Sequence, residues 1–350
     1  MLGKLDRYIA RSFLEPFLMA TAAIVGLYLV AEAFSELDEY LEQAKGFGEA
    51  LSRMVQTYGL RLPTFLVPVL PISMLFGAAY GVSQMSSNNE ITAMRASGVS
   101  FWRLLTPIYA MAVVVAMMGM GNRELLVPEL EQIALSQERI YQGKDKSREQ
   151  VAGFWEPDQT FFTMMYNPIT RDAGKVTLLQ KMPDGSARGV TAEEAHPERG
   201  GWRLLDVRVG AETKPELFWK TSLRARDVEM YLLPAEVQPI KMLRRMIRRA
   251  KTRQERESLL LQYYPRLAYP LTGLILVALG VPFVIGHERI QRNRLLGIGV
   301  CLIICAVFYS VQYICASLGQ EGRLPPAVSA FLPIFLFSAL GLYLLETVHS

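Results

Sequence analysis

Six long uncharged apolar runs constrain the fold of this chain more than any other feature of its sequence. They occupy residues 16–31, 62–89, 104–122, 267–286, 295–320 and 324–345. A helix needs about 20 residues to cross the hydrocarbon core of a bilayer, so each run is long enough, or nearly so, to span a membrane. Phe13 and Leu14 lengthen the first run beyond a single carboxylate, Glu15. The sequence therefore predicts six transmembrane helices.

The amino terminus allows a second interpretation of the first run, because Lys4, Arg7 and Arg11 precede it as basic residues precede the core of a signal peptide. A cleaved signal has a short apolar core followed by small residues at the cleavage site. Here the apolar residues continue through TAAIVGLYLVA, which favours an uncleaved first span. With 51% hydrophobic and only 20% charged residues, the chain as a whole is typical of membrane proteins.

The basic residues of the short loops predict the orientation of the six helices, because lysine and arginine collect on the cytoplasmic side of a membrane. Eight lie on the side of the amino terminus: Lys4, Arg7, Arg11, Arg95, Arg103, Arg289, Arg292 and Arg294. Four lie in the loops of the other side: Lys45, Arg53, Arg61 and Arg323. This distribution predicts that both termini are cytoplasmic and that the segment between the third and fourth spans lies outside the cytoplasm.

That segment, 123–266, separates a first transmembrane half at 1–122 from a second at 267–350. Its composition is that of a soluble domain, in which turn formers such as PDGSARG and HPERGG separate short β-rich runs. The runs are 159–166, 175–180, 202–209 and 216–222. Short strands at this spacing predict an antiparallel sandwich or barrel. Two helices, at 127–141 and 240–264, are predicted to lead into and out of this domain.

No sequence motif indicates an enzyme. A phosphate-binding GxxxxGK[ST] loop is absent, as are HExxH, GxSxG and paired-cysteine motifs. All three cysteines, Cys301, Cys305 and Cys315, fall inside the fifth span and offer neither a disulfide framework nor the spacing of metal ligands. We expect this chain to bind no metal and no cofactor. If the chain works in a process that consumes energy, another chain is expected to consume it.

The link between the second and third spans, SSNNEITAMRASGVS, is more elaborate than a plain turn requires. Asn88 or Asn89 is predicted to cap the amino end of a short helix by accepting hydrogen bonds from its free N–H groups. Glu90 follows in the first turn, where the helix dipole favours a negative charge. Gly98 suits a left-handed carboxyl cap, and Ser100 suits the start of the next helix.

The predicted link helix, at about 88–98, has two distinct faces. Ile91 and Met94 share one face, and Arg95 turns away from them. Local chemistry leaves two interpretations open. The helix is either an interfacial connector between spans or a helix docked into a cytoplasmic partner, to which Glu90 is offered as the partner of a basic residue.

A basic segment before the fourth span opposes the predicted orientation. Eight of its residues are basic: Lys241, Arg244, Arg245, Arg248, Arg249, Lys251, Arg253 and Arg256. Long loops translocate largely regardless of charge, so the six-span topology is retained. The segment is also amphipathic. It is either a solvated helix joining domain to span or a site at the membrane surface where Arg244, Arg245 and Arg248 bind lipid phosphates.

Five strings occur together in the order and at the spacing of one family of membrane proteins. LDRYI opens the chain, EITAMRASG forms the link, GFWEPDQTFFTM and GWRLLDV lie in the outer domain, and LPPAVSAFLPIFLFSALGLYLL forms the last span. They resemble the permease subunits of the bacterial lipopolysaccharide exporter, the LptF/LptG family, and LDRYI is similar to the start of the LptG branch. The resemblance covers essentially the whole chain.

The resemblance implies six transmembrane helices, three on each side of an inserted all-β, jellyroll-like periplasmic domain, in the bacterial inner membrane. It implies the non-catalytic permease subunit of an ABC exporter that extracts lipopolysaccharide and passes it to a periplasmic jellyroll bridge on the way to the outer membrane. The implied partners are an LptB-like cytoplasmic ATPase dimer, which would use the ATP, a second permease of the family, a single-span LptC-like jellyroll protein and an LptA-like bridge protein. Nucleic acid is not among them.

By the same resemblance, the link helix would be the coupling helix seated in a groove of the ATPase. Its coupling residues would be Glu90, Ile91, Met94, Arg95 and Gly98. Among the aromatic residues of the outer domain, Phe154, Trp155 and Phe161 are candidates for lining the path of the acyl chains. The alternative is that these aromatic side chains only fill the core of the sheet.

The acidic outer end of the first span departs from the family pattern. Some members carry lysine or arginine there to meet the phosphates of the lipid, whereas this chain has Glu32, Glu36, Asp38 and Glu39. These acids either solvate the rim or act through bridging divalent cations. Two other interpretations stay open for the whole chain: an exporter of another amphipathic lipid, and a membrane sensor or scaffold with a ligand-binding β domain.

Overall fold

The structure is a computed structural model. It describes residues 3–44, 46–141, 150–155, 160–166, 172–181, 187–210, 212–221, 224–225, 227–228, 232–234, 237–250, 252–286 and 294–349. The chain divides into two compact units. The first comprises Met1–Asp38, Leu62–Leu126 and Arg253–Ser350, and the second comprises Glu39–Arg61 and Val127–Thr252. The second unit therefore contains most of the predicted insertion together with the 23 residues from Glu39 to Arg61.

Six helices are long and apolar enough to cross a membrane, which confirms the prediction from the apolar runs. They are α1 (Lys4–Gln43), α2 (Phe47–Ser87), α4 (Phe101–Gly121), α7 (Arg253–Ile285), α8 (Arg294–Gln320) and α9 (Pro326–His349). Three shorter helices are α3 (Glu90–Ala96), α5 (Val127–Tyr141) and α6 (Ile240–Arg249). A π-helix, Asn122–Leu126, follows α4 directly and was not predicted.

The prediction of one helix over residues 240–264 is wrong, because the chain breaks between α6 and α7. Ala250 takes an extended ψ of 124° after donating its N–H to the carbonyl of Met246 at 2.8 Å. The break coincides with the end of the second unit at Thr252. Two helices that belong to different units need not share an axis, and no proline or glycine marks the break in the sequence.

Helices α1 and α2 approach each other through two glycines of α2 in a GxxxG arrangement, GAAYG. A Cβ on Gly81 would lie 2.4 Å from the carbonyl oxygen of Ser12, and one on Gly77 would lie 2.7 Å from the Cβ of Phe17. Small residues at this spacing allow two membrane helices to pack with their backbones close together. This approach places Ile9 and Phe13 of α1 in the core of the first unit, where both are fully buried.

Polar side chains of neighbouring helices donate hydrogen bonds to the backbone of α2, in one case where a proline interrupts its hydrogen-bond ladder. Pro71 has no N–H to offer the carbonyl of Val67 four residues earlier. The hydroxyl of Tyr269, on α7, donates to that carbonyl at 3.0 Å. At the end of α4, the side-chain amide of Asn122 donates to the carbonyl of Pro63 at 2.8 Å. The three helices α2, α4 and α7 are thereby joined by hydrogen bonds inside an apolar unit.

The second unit contains one antiparallel sheet of six strands in sequential order. The strands are β1 (Gln150–Trp155), β2 (Thr160–Tyr166), β3 (Ala173–Lys181), β4 (Ala187–Glu198), β5 (Gly201–Val209) and β6 (Glu212–Lys220). This confirms the predicted antiparallel β domain, and four of its strands overlap the predicted β-rich runs. Within the described residues there is this single sheet, so the second layer of a sandwich is not among them.

Strand β4 was not predicted, because its sequence, ARGVTAEEAHPE, consists largely of small and charged residues that are depleted in strands. It nevertheless lies inside the sheet and pairs with β3 on one side and β5 on the other. Two-sided pairing supplies the backbone hydrogen bonds that compensate for its low strand propensity.

Two non-glycine residues with left-handed backbones shift the alternation of the sheet. Lys175 on β3 has φ 45° and Asp206 on β5 has φ 51°. After each of them the buried face resumes one residue late, so that Val176 and Val207 are both buried. The pairing of β4 with both neighbours is interrupted at Glu193, beside these two left-handed residues. The two left-handed residues thus keep valines on the face where the core of the sheet lies.

Candidate functional site

The link helix α3 begins without the predicted amino-terminal cap. Asn89 takes a left-handed conformation, φ 59° and ψ 15°, and its side chain accepts no capping hydrogen bond. Its N–H donates to the carbonyl of Ser86 at 3.0 Å, which closes a tight turn at the end of α2. The prediction that Asn88 or Asn89 caps the helix is therefore wrong. Asparagine tolerates the left-handed backbone of this turn, and that conformation takes precedence over capping.

The other end of α3 follows the prediction. Gly98 has φ 86° and donates its N–H to the carbonyl of Arg95 at 3.0 Å, and Val99 donates to the carbonyl of Met94 at 3.1 Å. These two bonds form a Schellman motif, for which glycine at the left-handed position carries no steric cost. The side chain of Ser100 then accepts a hydrogen bond from the N–H of Arg103 and begins α4, as predicted.

The two faces of α3 have different surroundings. Ile91 is 7% exposed and belongs to the core of the first unit, and Met94 is partly buried against the same core. Thr92, Ala93 and Arg95 are exposed. The face that a partner could touch is thus the one opposite Ile91, and Ile91 itself holds the helix in place.

Both carboxylate oxygens of Glu90 accept hydrogen bonds from the same chain. The hydroxyl of Tyr8, on α1, donates to Oε2 at 2.8 Å, and the side-chain amide of Asn88 donates to Oε1 at 3.0 Å. Glu90 remains partly exposed, and Tyr8 is 49% exposed. The carboxylate is therefore held in one orientation while it stays accessible from outside.

A second polar contact ties α1 to the chain just after α3. The guanidinium of Arg103 lies 3.0 Å from Oδ2 of Asp6, whose side chain is only 11% exposed. The N–H of Gly3 donates to the same oxygen at 3.1 Å. The first two turns of α1 are thus joined to both ends of the link, through Tyr8 at its start and Asp6 beyond its end.

The aromatic candidates of the outer domain lie on the first hairpin of the sheet. In its register, Trp155 of β1 stands opposite Phe161 of β2, and Phe154 stands opposite Phe162. The side chains of these residues are outside the described part of the structure. Their role in lining a lipid path stays a prediction.

The basic candidates lie on α6, which also carries buried apolar residues. Met242 is 7% exposed and Leu243 is fully buried, whereas Arg244, Arg245 and Arg248 are exposed. Arg245 forms an ion pair with Asp227 at 3.1 Å. Protein therefore covers the apolar face of α6 at these two residues, while its arginines remain accessible to lipid headgroups.

Comparison with known proteins covers the chain almost from end to end. The sequence model of the lipopolysaccharide export system permease LptF/LptG matches residues 7–347. This chain belongs to the LptF/LptG family. The lipopolysaccharide export system permease protein LptG of Escherichia coli K12 is 23% identical over 361 residues, which cover 98% of each chain. LptG of Haemophilus influenzae is 21% identical over 373 residues, 99% of each chain.

Membership of the LptF/LptG family makes the chain a multi-pass membrane protein of the permease class, and the relatives are named as permease components and not as enzymes.

At the acidic end of α1, Glu32 and Glu36 are half-buried and Asp38 is exposed. Among the described residues no group of three or more His, Cys, Asp or Glu side chains could hold a metal ion.

The sequence did not single out Tyr8, Asp6 or Arg103, although each contacts the link or its flank. Asp6 and Tyr8 lie in LDRYI, a string that resembles the start of the LptG branch and carries no prediction for its single residues. Nothing in the order of six spans tells which helix lies beside the link. The available signal was a phenol and a carboxylate at the polar end of an apolar helix, and tyrosine is common at membrane interfaces whatever it contacts.

Proposed function

We propose that this chain is a non-catalytic permease subunit of an ABC exporter that extracts lipopolysaccharide from the inner membrane and passes it to a periplasmic jellyroll bridge. Both termini and α3 would lie in the cytoplasm, and the β domain in the periplasm. An ATPase dimer would bind and hydrolyse the ATP, because this sequence has no phosphate-binding loop. A second permease of the family would complete the transmembrane pathway.

The observation that carries the proposal is the anchoring of α3. Its inner face is packed into the core of the six-helix unit at Ile91 and Met94, while its outer face is exposed. A helix packed in this way cannot be displaced without moving the core behind it. The small side chains of Ala93 and Ala96 on the exposed face allow a partner to approach closely. These properties suit a helix through which the ATPase acts on the permease.

The electrostatics of the link support an ATPase contact at Glu90. The carboxylate is accessible and already oriented, and an arginine or lysine of the ATPase would pair with it. Removing one partner of such a charge pair at an interface costs about 2–5 kcal/mol of binding free energy. Glu90 is therefore proposed as the ionic coupling contact, with Arg95 beside it on the exposed face.

Charge reversal at Glu90 tests this function. We expect Glu90→Arg to lower lipopolysaccharide transfer per ATP hydrolysed by roughly tenfold or more, since like charges would then face each other. The measurement is ATP-driven transfer to the periplasmic acceptor from proteoliposomes that contain the ATPase and both permeases. Glu321→Arg is the matched control, because this acid is half-exposed in the loop between α8 and α9.

Two results would contradict the proposal. One is wild-type coupling in Glu90→Arg. The other is failure of the tagged chain to co-purify with an ATPase and a second six-span chain from native membranes. A membrane sensor or scaffold would give the second result, whereas an exporter of another lipid would retain both partners and transfer that lipid in place of lipopolysaccharide.

A further inference from the structure

The hydrogen bond between Tyr8 and Glu90 joins residues that are 82 positions apart in the sequence. It is the contact through which α1 reaches the carboxylate at the start of α3. We propose that Tyr8 is a positioning residue, which holds the Glu90 carboxylate in the orientation that a cationic side chain of the ATPase recognises. This inference rests on the proposed function, in which Glu90 meets such a side chain.

The carboxylate keeps the capacity to bind a cation while Tyr8 holds it. Each carboxylate oxygen has two acceptor sites, and Tyr8 and Asn88 use one on each oxygen. One site therefore remains on each oxygen, which is what a bidentate arginine requires. Tyr8 does not have to leave when the partner arrives, so it orients the carboxylate instead of competing for it.

The position of the Tyr8 hydroxyl is fixed by the helix that carries it. Ile9, the next residue, and Phe13, one turn further, are fully buried in the core of the first unit. The preceding turn is fixed by the ion pair between Asp6 and Arg103, in which the guanidinium lies 3.0 Å from Oδ2 of Asp6. A tyrosine on so constrained a helix end presents its hydroxyl at a defined place, although its own ring is half-exposed.

The benefit is a smaller entropic cost of association. A glutamate on a short exposed helix otherwise samples many rotamers, and ordering such a side chain at an interface costs binding free energy. The hydroxyl of Tyr8 orders Glu90 before the partner binds. The same bond makes α1 part of the surface on which the ATPase acts, so that a displacement of α3 also displaces the first turns of α1.

The test is a double-mutant cycle with Tyr8→Phe and Glu90→Ala. The affinity of the purified ATPase subunit is measured for the full permease pair in nanodiscs. We expect Tyr8→Phe to weaken the affinity by roughly three- to tenfold, which corresponds to disordering one side chain. In the Glu90→Ala background, Tyr8→Phe should cause no further loss, because the hydroxyl then has no carboxylate to orient.

The controls separate this role from a structural one. Tyr343→Phe removes the hydroxyl of a tyrosine that is 65% exposed on α9 and should leave the affinity unchanged. Equal losses from Tyr8→Phe in both backgrounds, or no loss in either, would overturn the role of Tyr8 while the Glu90 contact stands. If Glu90→Ala alone leaves the affinity unchanged, the coupling contact and this inference fail together.

Discussion

One polar group inside the first unit, the hydroxyl of Tyr269, compensates for a defined defect in a neighbouring helix. Pro71 deprives the carbonyl of Val67 of its helical N–H donor, and the hydroxyl of Tyr269 takes that place at 3.0 Å. The ring of the same tyrosine lies beneath the guanidinium of Arg123 at 5.0 Å, and a Cβ on Gly119 would come within 3.1 Å of its hydroxyl. The side chain of Tyr269 thus donates a hydrogen bond to the backbone of α2, contacts the cation of Arg123 with its ring and packs closely against α4 at Gly119.

We expect Tyr269→Phe to lower the free energy of unfolding by about 1 kcal/mol, because the Val67 carbonyl then has no donor. Adding Pro71→Ala should recover part of the loss, since residue 71 regains an N–H. The measurement is reversible unfolding in mixed micelles. The control is Tyr109→Phe, because the buried hydroxyl of Tyr109 has no hydrogen-bond partner among the described residues. Additive losses in the double variant would refute the assignment.

Within the described residues, His196 is a histidine whose pKa is shifted by its surroundings. The hydrogen bond from its ring to the carboxylate of Asp172, with Nδ1 2.7 Å from Oδ1, raises its pKa above the ordinary value of 6.5. A raised pKa in the folded state stabilises the fold below about pH 6.5, and this contribution is lost as the pH rises through the raised value.

The second unit should therefore be slightly less stable at about pH 8 than at about pH 6, and His196→Gln should remove this part of the pH dependence. The effect is small because both side chains are more than 40% exposed to screening solvent. Denaturant unfolding of the full chain at the two pH values, followed by near-ultraviolet circular dichroism, measures it. The same slope in the wild type and the variant would contradict the prediction.

At the scale of elements, sequence patterns predicted where the membrane helices lie in the chain but not which elements they contact. The apolar runs predicted all six membrane helices, because a backbone in lipid must satisfy its own hydrogen bonds and a helix does so locally. The carboxyl cap at Gly98 was equally local and was confirmed. The cap at Asn89, the break at Ala250 and the strand β4 depend on turns and pairing partners that a single sequence does not contain.

The contact of α1 with α2 is the element-scale feature most open to test. We expect Gly81→Ala to lower the free energy of unfolding by roughly 1–3 kcal/mol, since its Cβ would lie 2.4 Å from a backbone oxygen that cannot turn aside. Gly59→Ala on the same helix is the control, because its Cβ meets nothing within 4 Å. That control should stabilise α2 by about 0.5–1 kcal/mol. Equal effects at both glycines would argue against close packing at Gly81.

At the scale of the whole molecule, family membership accounts for the combination of six membrane helices with an antiparallel β domain. In the most apolar stretch of each span, 61% of the residues of α2 and of α7 are buried, against 11% for α1 and 22% for α8. The least covered spans are thus the first and the fifth. The resemblance to the LptF/LptG permeases also implies that lipid enters between the first span of one permease and the fifth span of the other, and for this chain that role stays a proposal.

The lipid path makes its own prediction at this scale. Replacing Arg244 and Arg248 by glutamine should lower the yield of lipopolysaccharide crosslinked to a photoreactive residue at position 154, 155 or 161, because two exposed arginines that are proposed to bind phosphate are lost. Arg245 is left intact in this variant to retain its ion pair with Asp227. Photocrosslinking in native membranes gives the yield.

The control for this experiment is Arg256→Gln, an exposed cation on α7 beyond the break at Ala250. It should leave the yield near the wild-type level. An unchanged yield in the Arg244 and Arg248 variant would remove the lipid role of α6. The absence of any lipid adduct at all three positions would remove the proposed path through the first hairpin.

The sequential order of the strands has a consequence for synthesis of the chain. Every strand from β1 to β6 pairs only with its neighbours in sequence, so each ladder closes over a short loop. Hairpins form in about 1–10 μs, whereas a ribosome adds roughly 5–20 residues per second. The sheet ends at Lys220, before any residue of the last three spans has been made. Its hydrogen bonds can therefore form while the nascent protein is still half-inserted, without waiting for the second group of membrane helices.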